Sequence, residues 1–204
     1  WNAQIVELCD AANALLDEKA AAFDELRELE KNAPEALARV QELRTAIEPR
    51  IAQAEQELAS LGQRYAATAL STVADNPAQA RQRIAFADDQ LTEAQSDLGA
   101  GHGGEAAVGI RAAEEAVDQA RLLTEAVTKV GDDLKKAEAA IAPMIADLRQ
   151  DLATAGAMPD AAGRLAPAIA ATQQAVDAAS AATSQSTALA PLQVLENLEA
   201  ANTQ

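Results

Sequence analysis

Apolar residues recur at alternating intervals of three and four along three long stretches of this chain, and no other pattern in it restricts the fold as tightly. The first track runs Ile5, Leu8, Ala12, Leu15, Ala22, Leu26 and Leu29, interrupted only by Lys19. A helix turning every 3.6 residues gathers these on one stripe, and a sustained seven-residue period implies left-handed supercoiling of helix on helix. A second track follows Leu37, Val40, Ile47, Ile51, Ala54, Leu58, Leu61 and Tyr65, with Leu43 one position off it. The third and longest runs Ile110, Ala113, Val117, Ala120, Val127, Leu134, Ile141, Ile145, Leu148 and Leu152. Helices carrying such stripes are expected to bury them on one another.

Composition closes off the other fold classes. About a quarter of the residues are alanine, the best helix former, while strand-like runs of β-branched or aromatic residues are missing. The expected fold is all-α, an elongated bundle of antiparallel coiled-coil hairpins with about six helices. Residues 1–76 read as one long antiparallel hairpin and 77–204 as hairpin repeats packed as a bundle, the two being separate or one continuous domain. Alanine contacts let helices approach closely but bury little area, so stability should come from scattered Leu, Ile and Val knobs.

The breaks between helices carry their own chemistry. Asn32, Ala33 and Pro34 mark the first, because Asn caps a helix and Pro is tolerated in its first turn. Asn76, Pro77 and Gln79 fit an N-cap, a first helical position and a capping box. The glycines from Gly99 to Gly104 supply a left-handed helix end. Met158, Pro159 and Asp160 mark a further break, and the Ser/Thr/Gln run from Ser184 to Ala190 another. Pro49 and Pro143 fall inside periodic stretches and are expected to kink or end their helices. Shifting the chain by 85 residues sets Ile84, Leu91 and Ala94 on Ile169, Val176 and Ala179, and Ile110, Ala113 and Ala116 on Leu195, Leu198 and Ala201. Both copies read as helix, small-residue loop, helix.

With 32 acidic against 16 basic residues and a net charge of −16, the surface repels phosphate backbones and anionic headgroups, so no nucleic-acid partner is expected. Glu35 with Arg39, Glu125 with Lys129 and Asp132 with Lys136 are spaced to support helices across one turn. No apolar run approaches the roughly 20 residues that span a bilayer, so direct membrane insertion is not expected. Opening at Trp1 and stopping at Gln204 without a helix stop, the chain reads as a segment of something longer.

Residues suited to chemistry are few. His102 is the sole imidazole, in a loop without a second histidine or thiol to share a metal, and Cys9 is the sole thiol, beside the first seam. Asp89, Glu93 and Asp97, with Asp88 beside them, line carboxylates on one helical face, which reads as a solvated ridge. The glycine run is no phosphate loop, because it follows a helix and lacks a Lys-Ser/Thr pair. Of the aromatics, Phe23 and Tyr65 are core candidates and Trp1 is terminal. The expectation is therefore no catalytic, metal-binding or cofactor-binding residue, no cofactor, and no enzyme.

Two passages carry a resemblance. RYAATALSTVADNPAQARQRI from Arg64 and GEAAVGIRAAEEAVDQARLL from Gly104 resemble the alanine-rich coiled-coil region found after the membrane segment in actinobacterial TPM-domain proteins, and PLQVLENLEAAN from Pro191 is similar to that region's closing repeat. There the closing repeat often begins Asp-Pro, where this chain has Ala190-Pro191. The resemblance implies a soluble region on the cytoplasmic side of a membrane-anchored parent. The TPM domain, which would hold any acidic metal site or phosphatase activity, is not in this sequence, so nothing catalytic carries over. The resulting expectation is a non-enzymatic interaction or spacer region that binds protein partners through helix faces, as a monomer or small homo-oligomer. The alternative is a ligand-sensing domain holding a small molecule between helices.

Overall fold

The computed structural model describes residues 2–159, 163–184 and 188–203, and within residues 2–24 the side chains at 4, 5, 7, 10, 13, 15–17, 19 and 20. Trp1, Asp160, part of the Ser184–Ala190 break and the side chains of Leu8, Cys9, Ala12, Ala22 and Phe23, for which the sequence carries expectations, lie outside the described residues.

The helices are α1 (Asn2–Lys31), α2 (Ala33–Arg64), α3 (Ala67–Leu70), α4 (Asn76–Ala100), α5 (Gly103–Gly156), α6 (Ala166–Ser184) and α7 (Pro191–Asn202). Among the described residues there is no strand, only a lone parallel bridge between Tyr65 and Leu189. The fold is all-α, as the stripes predict. Two compact units share the chain: residues 1–51 with 78–122, and 52–77 with 123–204. Each draws a stretch of α2 and a stretch of α5.

The second and third stripes are buried where the spacing predicts. Val40, Ile47, Ile51, Ala54, Leu61 and Tyr65 lie inside on α2, while off-track Leu43 is 45 % exposed. Along α5, burial runs without a gap from Ile110 through Val127, Leu134 and Ile141 to Leu148. The first stripe departs from expectation. Among its described side chains, Ile5 and Leu15 are exposed, while Leu26 and Leu29, in the last turns of α1, are half-buried and line a groove with Ala36 and Arg39.

The ends of the helices follow local rules. After Ala100, Gly101 takes φ +80°; its N–H donates to the Leu98 carbonyl and that of His102 to the Asp97 carbonyl. These two bonds form a Schellman closure, which needs a left-handed residue where glycine stands. Pro34 sits in the first turn of α2 and Pro77 in that of α4. Asn76, expected as a cap, is buried with its side chain turned to α5, where Nδ2 donates to the Leu123 carbonyl at 3.1 Å. Both α2 and α5 run through their internal prolines rather than ending there. Pro49 and Pro143 occupy exposed positions, so the carbonyl that each leaves without an N–H partner can turn to water.

One break has no punctuation in the sequence. The helical path stops at Tyr65, and Ala66 donates its N–H to the Leu189 carbonyl at 2.8 Å before α3 begins. Ala188, just before Leu189, adopts φ 62°, an uncommon conformation for a residue with a Cβ.

Both copies of the 85-residue pattern form two helices. Ile84, Leu91, Ala94, Ile110, Ala113 and Ala116 are all buried. Their counterparts Val176, Ala179, Leu198 and Ala201 are buried too, with Ile169 and Leu195 half-buried. In the second copy α6 packs directly on α7.

Candidate functional site

Of the side chains that the sequence singles out for chemistry, His102 and Asp97 come near one another, and that of Cys9 lies outside the described residues. His102 is exposed in the α4–α5 loop, its Nδ1 3.9 Å from Asp97 Oδ1. Among the described residues, no group of three or more His, Cys, Asp or Glu is arranged to hold a metal ion. The carboxylate ridge of α4 is divided in its roles. Glu93 and Asp89 are exposed, but Asp88 leaves the solvated face to clasp Arg44 of α2, with Oδ1 accepting from Nε at 2.6 Å and Oδ2 from Nη2 at 2.7 Å. Two parallel charge-assisted bonds fix both the distance and the plane of the pair. The hydrogen bond from Arg44 to Asp88, partly opposed by burial and helped by the charges of Asp88 and Glu48, pushes the guanidinium pKa up. Glu48 extends the tie, 3.7 Å from Arg44 and 3.1 Å from Arg81 of α4.

Several surface residues also bond partners beyond those that the spacing names. Arg39 stands 3.9 Å from Glu114 on α5, Lys129 closes on Asp133 at 2.6 Å, and Lys135 reaches Asp132 at 3.4 Å. The i,i+4 rule names neighbours on one helix, as for Lys129 with Asp133, and is blind to a second helix alongside, as for Arg39 with Glu114.

In the second unit an electrostatic cluster is built around Tyr65. Its hydroxyl donates to Glu138 Oε2 at 2.7 Å, while Arg64 Nη2 donates to Oε1 at 2.8 Å. The Arg64 guanidinium also lies 5.5 Å from the centre of the Tyr65 ring. The ring is 2 % exposed, packed with Leu61, Leu70, Leu134 and Leu189. Burial first, then the Glu138 bond and charge, pushes the phenol pKa up to about 12. Burial pushes Glu138 the other way from its hydrogen bonds, but the bonds from Tyr65 and Arg64 with the Arg64 charge outweigh it, so the carboxyl sits below its usual value. A phenol held protonated beside a carboxylate held ionised has no proton to exchange near neutrality. The cluster acts as a brace where α2 gives way to α3, joining α5 on one side and Leu189 on the other. Sequence reasoning placed Tyr65 in the core but had no signal for Glu138, which lies far along the chain.

The cavities are open grooves. In the first unit one of about 1070 Å³ runs between the last turns of α1, the first turns of α2, and α5. Leu26, Leu29 and Ala36 line it along with charged residues. Another of about 580 Å³ lies between α2 and α5, lined by Leu43, Ile47 and Val117, and shares Arg111, Glu114 and Glu115 with the first. In the second unit a groove of about 460 Å³ between α6 and α7 is lined mainly by alanine.

No helix among the described residues is long and apolar enough to cross a membrane. No protein-family profile matches the chain, and no solved structure matches it. It is 33 % identical over 142 residues to UPF0603 protein Rv2345 of Mycobacterium tuberculosis (strain ATCC 25618 / H37Rv). UPF0603 protein MT2410 of Mycobacterium tuberculosis (strain CDC 1551 / Oshkosh) matches to the same extent. The match takes in 68 % of this chain but 21 % of either relative, so the chain spans about a fifth of the length of the curated relatives it matches. Over that stretch the chain is homologous to actinobacterial UPF0603 proteins of Mycobacterium.

Proposed function

We propose that this chain is a non-enzymatic interaction or spacer region of a larger, membrane-anchored protein, standing on the cytoplasmic side and binding protein partners through helix faces. The observation that carries this reading is how α2 and α5 distribute their side chains. Apolar residues are sunk in continuous seams, and the ionisable groups with perturbed pKa values, Arg44, Arg64, Tyr65, Lys129, Asp133 and Glu138, are engaged in bonds within or between helices. Perturbed groups at catalytic centres instead converge on a cleft with capacity to spare. The coiled-coil region of TPM-domain proteins, which the sequence resembles, supports the anchored parent and the actinobacterial setting.

The open form of the grooves favours protein partners over a small molecule, since small ligands bind where most of their surface can be covered. Anchoring is tested on the full-length parent by membrane fractionation and by labelling a Cys9→Ser, Ser60→Cys variant, against Cys9→Ser alone, in intact and permeabilised cells. Membrane-bound protein labelled only after permeabilisation is expected; a soluble parent, or labelling in intact cells, overturns the placement. Deleting this region from the parent is expected to abolish its cross-linked partners while leaving it in the membrane. Unchanged cross-links would remove the interaction role. A ligand whose concentration raises Tm by a saturating increment would instead establish the sensor reading.

A further inference from the structure

The groove of the first unit combines an apolar floor with an excess of one charge, and no segment of the described chain is needed to explain both. Leu26 and Leu29 of α1 and Ala36 of α2 provide the floor. Five carboxylates stand around it, Glu25, Glu28, Glu35, Glu114 and Glu115, against two guanidiniums, Arg39 and Arg111. Both guanidiniums are already engaged. Arg111 lies 3.1 Å from Glu25, 3.7 Å from Glu114 and 3.4 Å from Glu115, and Arg39 lies 3.9 Å from Glu114. Glu28 is paired with Lys31 in the same turn, so five carboxylates face three cations and the rim keeps a negative excess, with Glu35 its least engaged member.

The apolar surface continues past Arg111 into the neighbouring groove, where Leu43 is 45 % exposed and Ile47 and Val117 lie beneath. Along α2 the two grooves extend from Asn32 to Arg50. At 1.5 Å per residue that is about 27 Å, the length of a helix of about five turns. We propose that this groove docks an amphipathic helix whose leucine-like stripe lies on Leu26, Leu29 and Leu43 and whose flanking Lys and Arg residues meet Glu25, Glu28, Glu35 and Glu115. Helix-in-groove recognition reads an apolar stripe at i, i+3, i+4 and i+7, and complementary charge fixes orientation. A second copy of this chain is disfavoured as occupant, because a net charge of −16 would bring carboxylates against carboxylates. The proposal rests on the interaction role above and names the chemistry of the partner.

The test uses the whole 204-residue chain and a synthetic peptide of about 18 residues, with leucines on one helical face, lysines flanking them and a photoreactive residue within the apolar face. Affinity is read by fluorescence anisotropy and position by mass spectrometry of the cross-linked product. Neutralising Glu25→Gln with Glu115→Gln is expected to weaken binding about tenfold. Neutralising Glu125→Gln with Asp132→Asn on the second unit, an equal change of net charge, is expected to weaken it by less than about twofold. Leu43→Ser, at an exposed position that folding does not need, should weaken it by about threefold or more through lost apolar contact. Cross-links confined to residues 25–50 and 111–121 support the site. Equal weakening by the two neutralised pairs, no response to Leu43→Ser, or cross-links elsewhere overturns it as bulk attraction. Failure here is separable from failure of the broader role: a parent that keeps its cross-linked partner when Glu25 and Glu115 are neutralised loses the groove and keeps the role.

Discussion

The two units take stretches from the same two long helices and yet are packed by different means. Among the described residues, ten of the eighteen buried apolar residues in the first unit are alanine, against four of sixteen in the second. Alanine brings backbones close and contributes little area per side chain, so the first unit gains by close approach. The second is filled by large knobs, with Ile141, Ile145, Leu148, Val176 and Leu198 in one cluster and Leu61, Tyr65, Leu134 and Leu189 in another. The lesson is that one heptad pattern permits two kinds of interior, and the size of the residue at each seam position decides which forms.

The largest effect should come from removing a knob where knobs dominate. Leu134→Ala, at a fully buried position of the second unit, is expected to destabilise by about 3 to 4 kcal/mol, from lost transfer energy and the cavity left behind. In the first unit the damaging change runs the other way: Ala113→Leu, also fully buried, should cost about 1 to 3 kcal/mol by overpacking. Urea titration of both variants decides the matter. If Ala113→Leu proves neutral, the first unit has slack and the contrast collapses.

Glycine sharpens the same contrast. A Cβ at Gly109 would lie 3.3 Å from both the Ala94 Cβ and the Gln90 carbonyl oxygen, atoms that move only with α4 itself. At Gly131 it would meet the ends of the Glu57 and Leu61 side chains at 3.0 and 3.2 Å, which can turn aside. Gly109→Ala should therefore destabilise by about 1 kcal/mol despite alanine's better helix propensity, while Gly131→Ala should be neutral or slightly stabilising. The 85-residue offset sets Gly109 against Val194, a half-buried residue packed on two apolar clusters of the second unit. The same place in the hairpin thus holds the narrowest residue in one copy and a wide one in the other. Equal thermal shifts for the two glycine variants would refute the close-approach account.

Much of this was legible in the residues, and the rest was not for identifiable reasons. The second and third stripes, the Gly101 closure and the exposure of Leu43 all follow from interactions within a few residues. The stop at Tyr65 does not, because the partner met there, the Leu189 carbonyl that accepts from the Ala66 N–H, lies far along the chain. Nor does the role of Asp88, which looks like its neighbours on the ridge until Arg44 is placed opposite. The stripe of α1 had the right period but not a covering partner for Ile5 and Leu15, since periodicity shows that a face is apolar without saying what meets it.

The brace at Tyr65 allows a pH test within the second unit. Its phenol pKa is raised to about 12 from an ordinary value near 10. Below pH 10 the phenol is protonated folded and unfolded, and its contribution is whole; between 10 and 12 only the unfolded chain loses the proton, so stability falls as pH rises. Tyr65→Phe should cost about 1 kcal/mol near neutrality for the lost bond to Glu138 and should flatten that part of the alkaline slope. Denaturant midpoints for both proteins from pH 8 to about pH 12 would show it. Parallel slopes would mean that the hydroxyl is not held as described.

The smallest expected effect falls on the tie of the first unit, and salt is the means of resolving it. Arg44 meets Asp88 through two parallel bonds at the edge of the α2–α4 contact, with side chains 30 % and 44 % exposed. Lysine keeps the charge but offers a point rather than a fork, so Arg44→Lys removes the planar match and leaves the Coulomb attraction. Partly exposed pairs of this kind contribute about 0.5 kcal/mol, and the ionic share fades once 1 M salt shortens the Debye length to about 3 Å. The Arg44→Met and Asp88→Asn cycle, which removes the charge together with the fork, should therefore show coupling that shrinks as salt is added. The Tyr65→Phe and Glu138→Gln cycle, set against buried aliphatic residues, should keep most of its coupling. Were both cycles to lose coupling alike, the two units would be tied by the same surface electrostatics, and only their packing would distinguish them.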